Sequence, residues 1–314
     1  MLPNSKYLRV SITNKCNLAC FYCHQEGYIE HNCVELSPRE IQFACKVALS
    51  EGYNKFKISG GEPTYRNDIC SVIKLLSDLD LPDLSMITNG TKLNELSTEL
   101  WECGLRRINV TLNTINEERF KLFQKDNSIS LKDIITGIDK AVSVGYRNMK
   151  LNFIYFEEEC DRDLSELLSF SKFYGTTLVV LPVIGSNYFS LDYLHNKLKS
   201  YGIFSEEIIK DNEGIKRFFI TMVSGAHVIL RCEELHDIKP YIFCNDCDNR
   251  VSCREGIFPI RLSADGEIIL CLANNEHHIN IRNILKEKDE KALKKVFNKI
   301  RTYETSSFVG QNIK

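Results

Sequence analysis

The sequence predicts an α/β fold, a partial (β/α)6 barrel of the TIM type followed by a smaller C-terminal α+β domain. Three observations carry this expectation. Short β-rich runs alternate with helical patterns over the first two-thirds of the 314 residues, and the alternation stops near residue 212. Glycine, asparagine and cysteine cluster just after the strand-like runs, where barrels of parallel strands gather their ligand-binding groups.

The predicted strands are 8–13, 55–59, 84–88, 107–112, 149–156 and 177–182. Strands separated by helices pair in parallel through right-handed crossovers. Six such units are too few for a full eight-stranded barrel, so the barrel is expected to stay open along one side. The first helix carries its own start signals: Ser37 as cap, Pro38 at the first position, Glu40 for a capping box, and Leu36 with Ile41 as the staple. Apolar residues then recur at helical spacing through Ile41, Ala44, Cys45 and Ala48. Further helices are predicted over 67–79, 92–103, 116–124, 131–145 and 163–174. Beyond 212 the pattern turns to hairpins, 216–223 with 227–232 and another around Asp265–Gly266, and then to a charged helix at 280–302. The expected division is 1–212 and 213–314.

Charge excludes some functions. With 40 basic and 42 acidic residues there is no excess to drive binding to nucleic-acid polymers or anionic membranes. The N-terminal stretch MLPNSKYLRV lacks an apolar signal region, and runs such as 178–184 fall short of the roughly 20 residues that span a bilayer. The expected location is cytoplasmic. Neither a Walker phosphate loop nor G-x-G-x-x-G occurs, which argues against ATPase and Rossmann readings.

Thirteen cysteines in a reducing compartment point to metal or cluster ligation more than to disulfides. Cys16, Cys20 and Cys23 form C-x3-C-x2-C directly after the first strand. A 4Fe-4S cube takes four ligands, so three thiolates leave one iron open to an external ligand. Structural zinc, which closes its tetrahedron with protein ligands, is the competing reading, with only His24 nearby. Downstream, Cys244, Cys247, Cys253 and Cys271 form C-x2-C-x5-C-x17-C, which suits a second cluster or a zinc site. Cys33, Cys45, Cys70, Cys103, Cys160 and Cys232 are scattered and read as small apolar fillers. His277–His278 reads as a loop pair that shares no face, 157–159 as a solvated acidic loop, and Trp101 as core beside Leu100 and Leu105.

CNLACFYC after the first strand, with 60-GGEP-63 after the second, resembles the radical S-adenosylmethionine (SAM) superfamily. LRVSITNKCN, KFKISGGEPTYR, MITNG, INVTLNTI and RLSADGEIILCL extend the resemblance over nearly the whole chain to the GTP 3′,8-cyclase (MoaA) family of molybdenum-cofactor biosynthesis. The resemblance implies a 4Fe-4S cluster on Cys16, Cys20 and Cys23 whose open iron chelates SAM, and reductive cleavage of SAM to a 5′-deoxyadenosyl radical. It places cofactor contacts on Tyr22, Gly60, Gly61, Glu62 and Pro63, on Thr88 and Asn89, and on Thr111 and Asn113. Glycine there lets backbone approach the methionine moiety. Asn113 stands where the family has aspartate. Nucleotide contacts are implied for Arg9, Lys55, Lys57, Lys150, Arg250 and Arg261, a set whose guanidinium and ammonium groups suit a triphosphate.

The family carries three cysteines in the second set, so Cys253 is an addition that would close a second 4Fe-4S cluster. The family's terminal glycine pair is missing, with Gly310 alone near the end. These departures keep two rivals open: radical chemistry on a different nucleotide, natural-product precursor or peptide, and an iron-sulfur redox sensor that never turns SAM over. The implied partners are a small-molecule substrate and an electron donor such as flavodoxin or ferredoxin.

Overall fold

The structure, a computed structural model, describes residues 6–23, 34–124, 129–183, 189–210, 216–231, 241–248, 260–272 and 274–303. Strands β1 (Lys6–Ser11), β2 (Tyr53–Ser59), β3 (Leu84–Thr88), β4 (Ile108–Thr111), β5 (Lys150–Tyr155) and β6 (Thr177–Pro182) are parallel neighbours in chain order. Between them run α1 (Pro38–Ser50), α2 (Ile69–Ser77), α3 (Leu93–Glu102), α4 (Glu117–Phe120) and α5 (Leu131–Val144), and α6 (Cys160–Tyr174) joins β5 to β6. This is the expected six-unit α/β barrel, open along one side.

Side chains alternate along each strand, and the alternation sets the two faces of the sheet. Leu8, Val10, Phe56, Ile58, Leu151 and Phe153 are essentially fully buried, on the face that the helices cover. The intervening residues, among them Arg9 and Lys57, face the concave interior. The capping box of α1 forms as the sequence signals: Glu40 N donates to Ser37 Oγ, and Ser37 N donates to Glu40 Oε2 at 2.7 Å.

The sheet does not stop at β6. It continues through α7 (Leu191–Ser200) into β7 (Ile203–Lys210), β8 (Lys216–Met222) and β9 (His227–Arg231), with β9 parallel to β6. On the other flank β10 (Ile260–Leu262) lies parallel to β1, followed outward by β11 (Glu267–Ile269) and β12 (His278–Asn280). The twelve strands run β12-β11-β10-β1-β2-β3-β4-β5-β6-β9-β8-β7.

The helix expected at 280–302 is two, α8 (Arg282–Glu287) and α9 (Glu290–Tyr303). Lys288 breaks it by taking a left-handed conformation at φ 53°. His278 belongs to β12 and not to a loop. Arg301 Nη2 reaches the Glu51 carbonyl and carboxylate, both at 2.8 Å, and ties α9 to the end of α1. Among the described residues no helix is long and apolar enough to cross a membrane.

Candidate active site

The cysteine triplet follows β1 on a loop held from two sides. Ala19 N donates to Phe123 O at 2.9 Å, Leu18 bridges to Gln124, and within the loop Cys23 N donates to Cys20 O at 3.0 Å. Cys16 and Cys20 are half-buried and Cys23 is exposed. Burial pushes the Cys20 thiol up to about 11, and the Cys23 and Cys16 sulfurs push the same way, against a hydrogen bond from Tyr22. Three sulfurs near enough to repel one another, in a loop with an open edge, suit a cationic iron-sulfur group that would draw the thiolates out. Among the described residues no three His, Cys, Asp or Glu side chains close round a point as a single ion requires. A cube differs in spreading its thiolates over separate irons.

The turn after β2 is built against this loop. Gly61 N donates to Thr13 O at 2.7 Å and Glu62 N donates to Lys15 O at 2.8 Å. A Cβ at Gly61 would lie 2.2 Å from Lys15 O, and one at Gly60, whose φ is +147°, would lie 2.4 Å from Thr13 O. Glycine is therefore required here by the approach of the chain's own cysteine loop.

Glu62 is only 1% exposed and accepts from Thr64 N at 3.0 Å, Thr64 Oγ1 at 2.5 Å, Thr88 Oγ1 at 2.7 Å and Asn89 N at 2.6 Å. Burial raises its proton affinity, and the hydrogen bonds from Asn89 and Thr64 oppose that rise. It caps the short turn Pro63–Tyr65, in which Pro63 is buried. Asn89 Nδ2 donates to Asn17 Oδ1 at 2.9 Å and lies 4.0 Å from Cys16 Sγ, so the β3 exit also touches the cysteine loop.

A chain of polar contacts comes from the other side. Asn113 Oδ1 accepts from Ile154 N at 2.9 Å, while Asn113 Nδ2 donates to the Tyr22 hydroxyl. Tyr22 in turn is bonded to Cys20, and burial holds the phenol well above its ordinary range. Cys20, Tyr22, Asn89, Thr111, Asn113 and Phe123 line one cleft. Of these the sequence reading missed Phe123. It belongs to an aromatic cluster with Phe21, Tyr22 and Phe156, in which Phe21 meets Phe156 edge-on at 4.8 Å. Phe21 and Tyr22 are visible inside the motif, but Phe123 and Phe156 arrive from distant loops.

Five of the six sequence-nominated cations lie on the concave face. Strand register sets Arg9 beside both Arg261 and Lys57. Arg9 Nε donates to Ser59 Oγ at 3.1 Å, and Arg261 is 4% exposed. Lys55 and Lys57 both place their ammonium groups over the Tyr7 ring, at 5.5 and 5.6 Å from its centroid. Burial holds the Lys57 ammonium well below its usual range, and Arg9, Arg231, Lys55 and Lys150 add to the effect. Lys150 falls to about 8, by burial first and then by Arg107, Lys55 and Arg217, with Asp83 opposing. Arg250 lies outside the described residues.

The second cysteine set is partly described. Cys244 ends a short turn, Ile242–Cys244, and is buried; Cys271, just after β11, is also buried; Cys247 is exposed. Phe243 stacks on His277 with centroids 3.7 Å apart and planes 13° from parallel, which joins the two segments. His278 Nε2 donates to Cys271 O at 3.1 Å, so the histidine pair serves the architecture of this corner. Cys253 and Gly310 lie outside the described residues, as do His24, Cys33 and Cys232. Cys45 and Cys160 are fully buried fillers, as expected, and Trp101 packs edge-on against Tyr146 at 5.0 Å.

Comparison with known proteins bears on the family and the fold. The family model described as the radical SAM superfamily matches residues 10–171. A protein of Methanocaldococcus jannaschii named probable GTP 3′,8-cyclase is 32% identical over 289 residues, covering 89% of each chain. Its namesake in Sulfurisphaera tokodaii is 34% identical over 286 residues, covering 89% of this chain and 85% of that one. Among solved structures, Streptococcus suis SuiB bound to S-adenosylmethionine superposes with a TM-score of 0.67 at 14% identity, covering 100% of this chain and 69% of that one. At that identity the likeness speaks for the fold alone.

Proposed function

The chain belongs to the radical SAM superfamily, and from that premise we propose that it is a GTP 3′,8-cyclase, which holds a purine nucleoside triphosphate on the concave face of its barrel. The observation that carries the substrate reading is the in-register row of Arg261, Arg9 and Lys57. β1 and β2 lead at their C-terminal ends to Cys16–Cys23 and to the Gly60–Pro63 turn, while Cys271 follows β11, the antiparallel partner of β10, so the row of cations lies on strands that run between the two cysteine segments.

Cys16, Cys20 and Cys23 would hold the 4Fe-4S cluster, and the chemistry supplied there is reductive cleavage of SAM to a 5′-deoxyadenosyl radical that removes hydrogen from the substrate. The chain's own residues do the rest. Gly60 and Gly61 let the cysteine loop close on the β2 exit, and Glu62 locks that exit to Thr88 and Asn89. Tyr22 and Asn113 orient Cys20 from the opposite wall, with Thr111 beside them. Phe123 and Phe156 exclude water from that side.

Cys244, Cys247 and Cys271, with Cys253, would hold a second cluster, a reading supported by the contact of their two segments through Phe243 and His277. The division near 212 then separates a core that binds SAM from an end that brings this second cluster and Arg261. A one-electron donor such as flavodoxin or ferredoxin would approach across the exposed loop edge at Cys23.

The test is anaerobic reconstitution with SAM, dithionite and GTP, followed by mass spectrometry. Appearance of 5′-deoxyadenosine together with a nucleotide isomer is the expected result. Deoxyadenosine without nucleotide conversion would overturn the GTP assignment and point to another substrate. SAM binding without cleavage would make the protein a redox sensor or scaffold.

A further inference from the structure

The concave face carries two more arginines that the sequence did not single out. On the flank beyond β6, register sets Val179 beside Ile229, and Arg231 opposite Arg217. Val228 and Leu230 are buried on the helix-covered side, so Ile229 and Arg231 point the other way, and Arg217 with them. The same register runs from His227 through Thr177 to Lys150, which places all of these on the interior face. Both arginines are half-buried.

Strand order puts this hairpin at one flank of the curved sheet and Arg261 with Arg9 at the other. In a barrel-like curve the two flanks face each other across the interior. The electrostatics match that convergence. The charges that act most on Lys57 are all positive and come from both flanks, Arg9 from one and Arg231 from the other. Arg217 acts in the same sense on Lys150. Cations gathered from both sides of an interior suit a ligand that carries several negative charges.

We propose that Arg231 and Arg217 bind the terminal phosphates of the substrate, so that the β8–β9 hairpin selects a triphosphate over a monophosphate. This rests on the nucleotide reading above and adds to it the opposite wall of the polyphosphate site. Arginine suits the role because its planar fork can take two oxygens of one phosphate.

The experiment measures equilibrium binding of inorganic tripolyphosphate, GTP and GMP to the anaerobically reconstituted full chain, in wild type and in Arg231→Gln, Arg217→Gln and Arg231→Lys. Each glutamine variant is expected to weaken tripolyphosphate and GTP about tenfold and GMP less than about twofold, with lysine restoring part of the loss. Equal loss for GTP and GMP, or no loss for either, overturns the proposal. Wild type that binds tripolyphosphate but neither nucleotide overturns the nucleotide reading instead; the arginine assignment then stands or falls on whether the glutamine variants lose tripolyphosphate. Should Arg231→Gln melt well below wild type, Arg217→Gln and Arg231→Lys decide the question.

Discussion

Asn89 N donates to Glu62 Oε2 at 2.6 Å, and this bond fastens the exit of β2 to the exit of β3. With both threonines also donating, the buried carboxylate meets donors on every side. Glu62→Gln would turn an NH2 group toward at least one of those donors. A buried donor left unpaired costs about 1–3 kcal/mol, and urea unfolding of the unloaded chain is expected to show that loss.

Gly61→Ala tests the packing of the cysteine loop separately from its ligands. The added Cβ meets a backbone carbonyl at 2.2 Å, which cannot swing away as a side chain would. Overpacking of this kind costs about 1–3 kcal/mol. Here the strain falls on the segment that carries Cys16, so iron and sulfide incorporated per chain should drop sharply while far-UV circular dichroism stays that of a folded barrel. Normal iron loading would show that the loop tolerates displacement.

Tyr22→Phe removes the hydroxyl that bonds Cys20 and leaves the ring in its aromatic cluster. Hydrogen bonds to cluster sulfurs favour the reduced, more negative state. The midpoint potential of the reconstituted cluster is expected to fall on the order of tens of millivolts, small against the range that cluster environments span. A redox titration followed by electron paramagnetic resonance reads it directly, and an unchanged potential would remove Tyr22 from this role.

Lys150 gives a pH signature. Its ammonium titrates at about 8 in the free protein, against an ordinary value of 10.5. Between those values the unfolded chain binds more protons, so this lysine makes the unliganded protein more stable as pH rises from 8 toward 10.5. Polyanion binding has the opposite dependence. A phosphate beside Lys150 restores its charge, so tripolyphosphate binding near pH 8 should take up about half a proton and weaken at higher pH. Calorimetry in two buffers of different ionisation enthalpy measures the uptake, and Lys57, shifted in the same direction, adds to it.

The barrel was legible because each of its first six strands is a short β-rich run followed by a patterned helix. The cysteine loop and the glycine turn were legible because their residues lie close together in the chain. What the sequence hid depends on distance. Segment 191–200 is short and charged, and among the described residues β7 pairs only with β8, with few buried side chains to mark it. Phe123 becomes a wall of the cleft, with Phe156 packed against it, only when two separate segments meet. Arg217 and Arg231 look like ordinary charges on a hairpin, and only the register from β6 to β9 turns them inward.

The place of β10 also has a consequence for how the protein is made. β1, whose end carries the cysteines, has β2 on one side and β10 on the other. During synthesis β2 follows soon after, but Ile260–Leu262 leaves the ribosome long after both. Until then β1 presents an unpaired edge, and Leu36 N lacks its acceptor, Ala264 O. Contacts so far apart in sequence form late. A nascent chain therefore displays its first three cysteines on a half-built support, and iron delivered before β10 emerges would meet a loop that has not yet acquired its final shape.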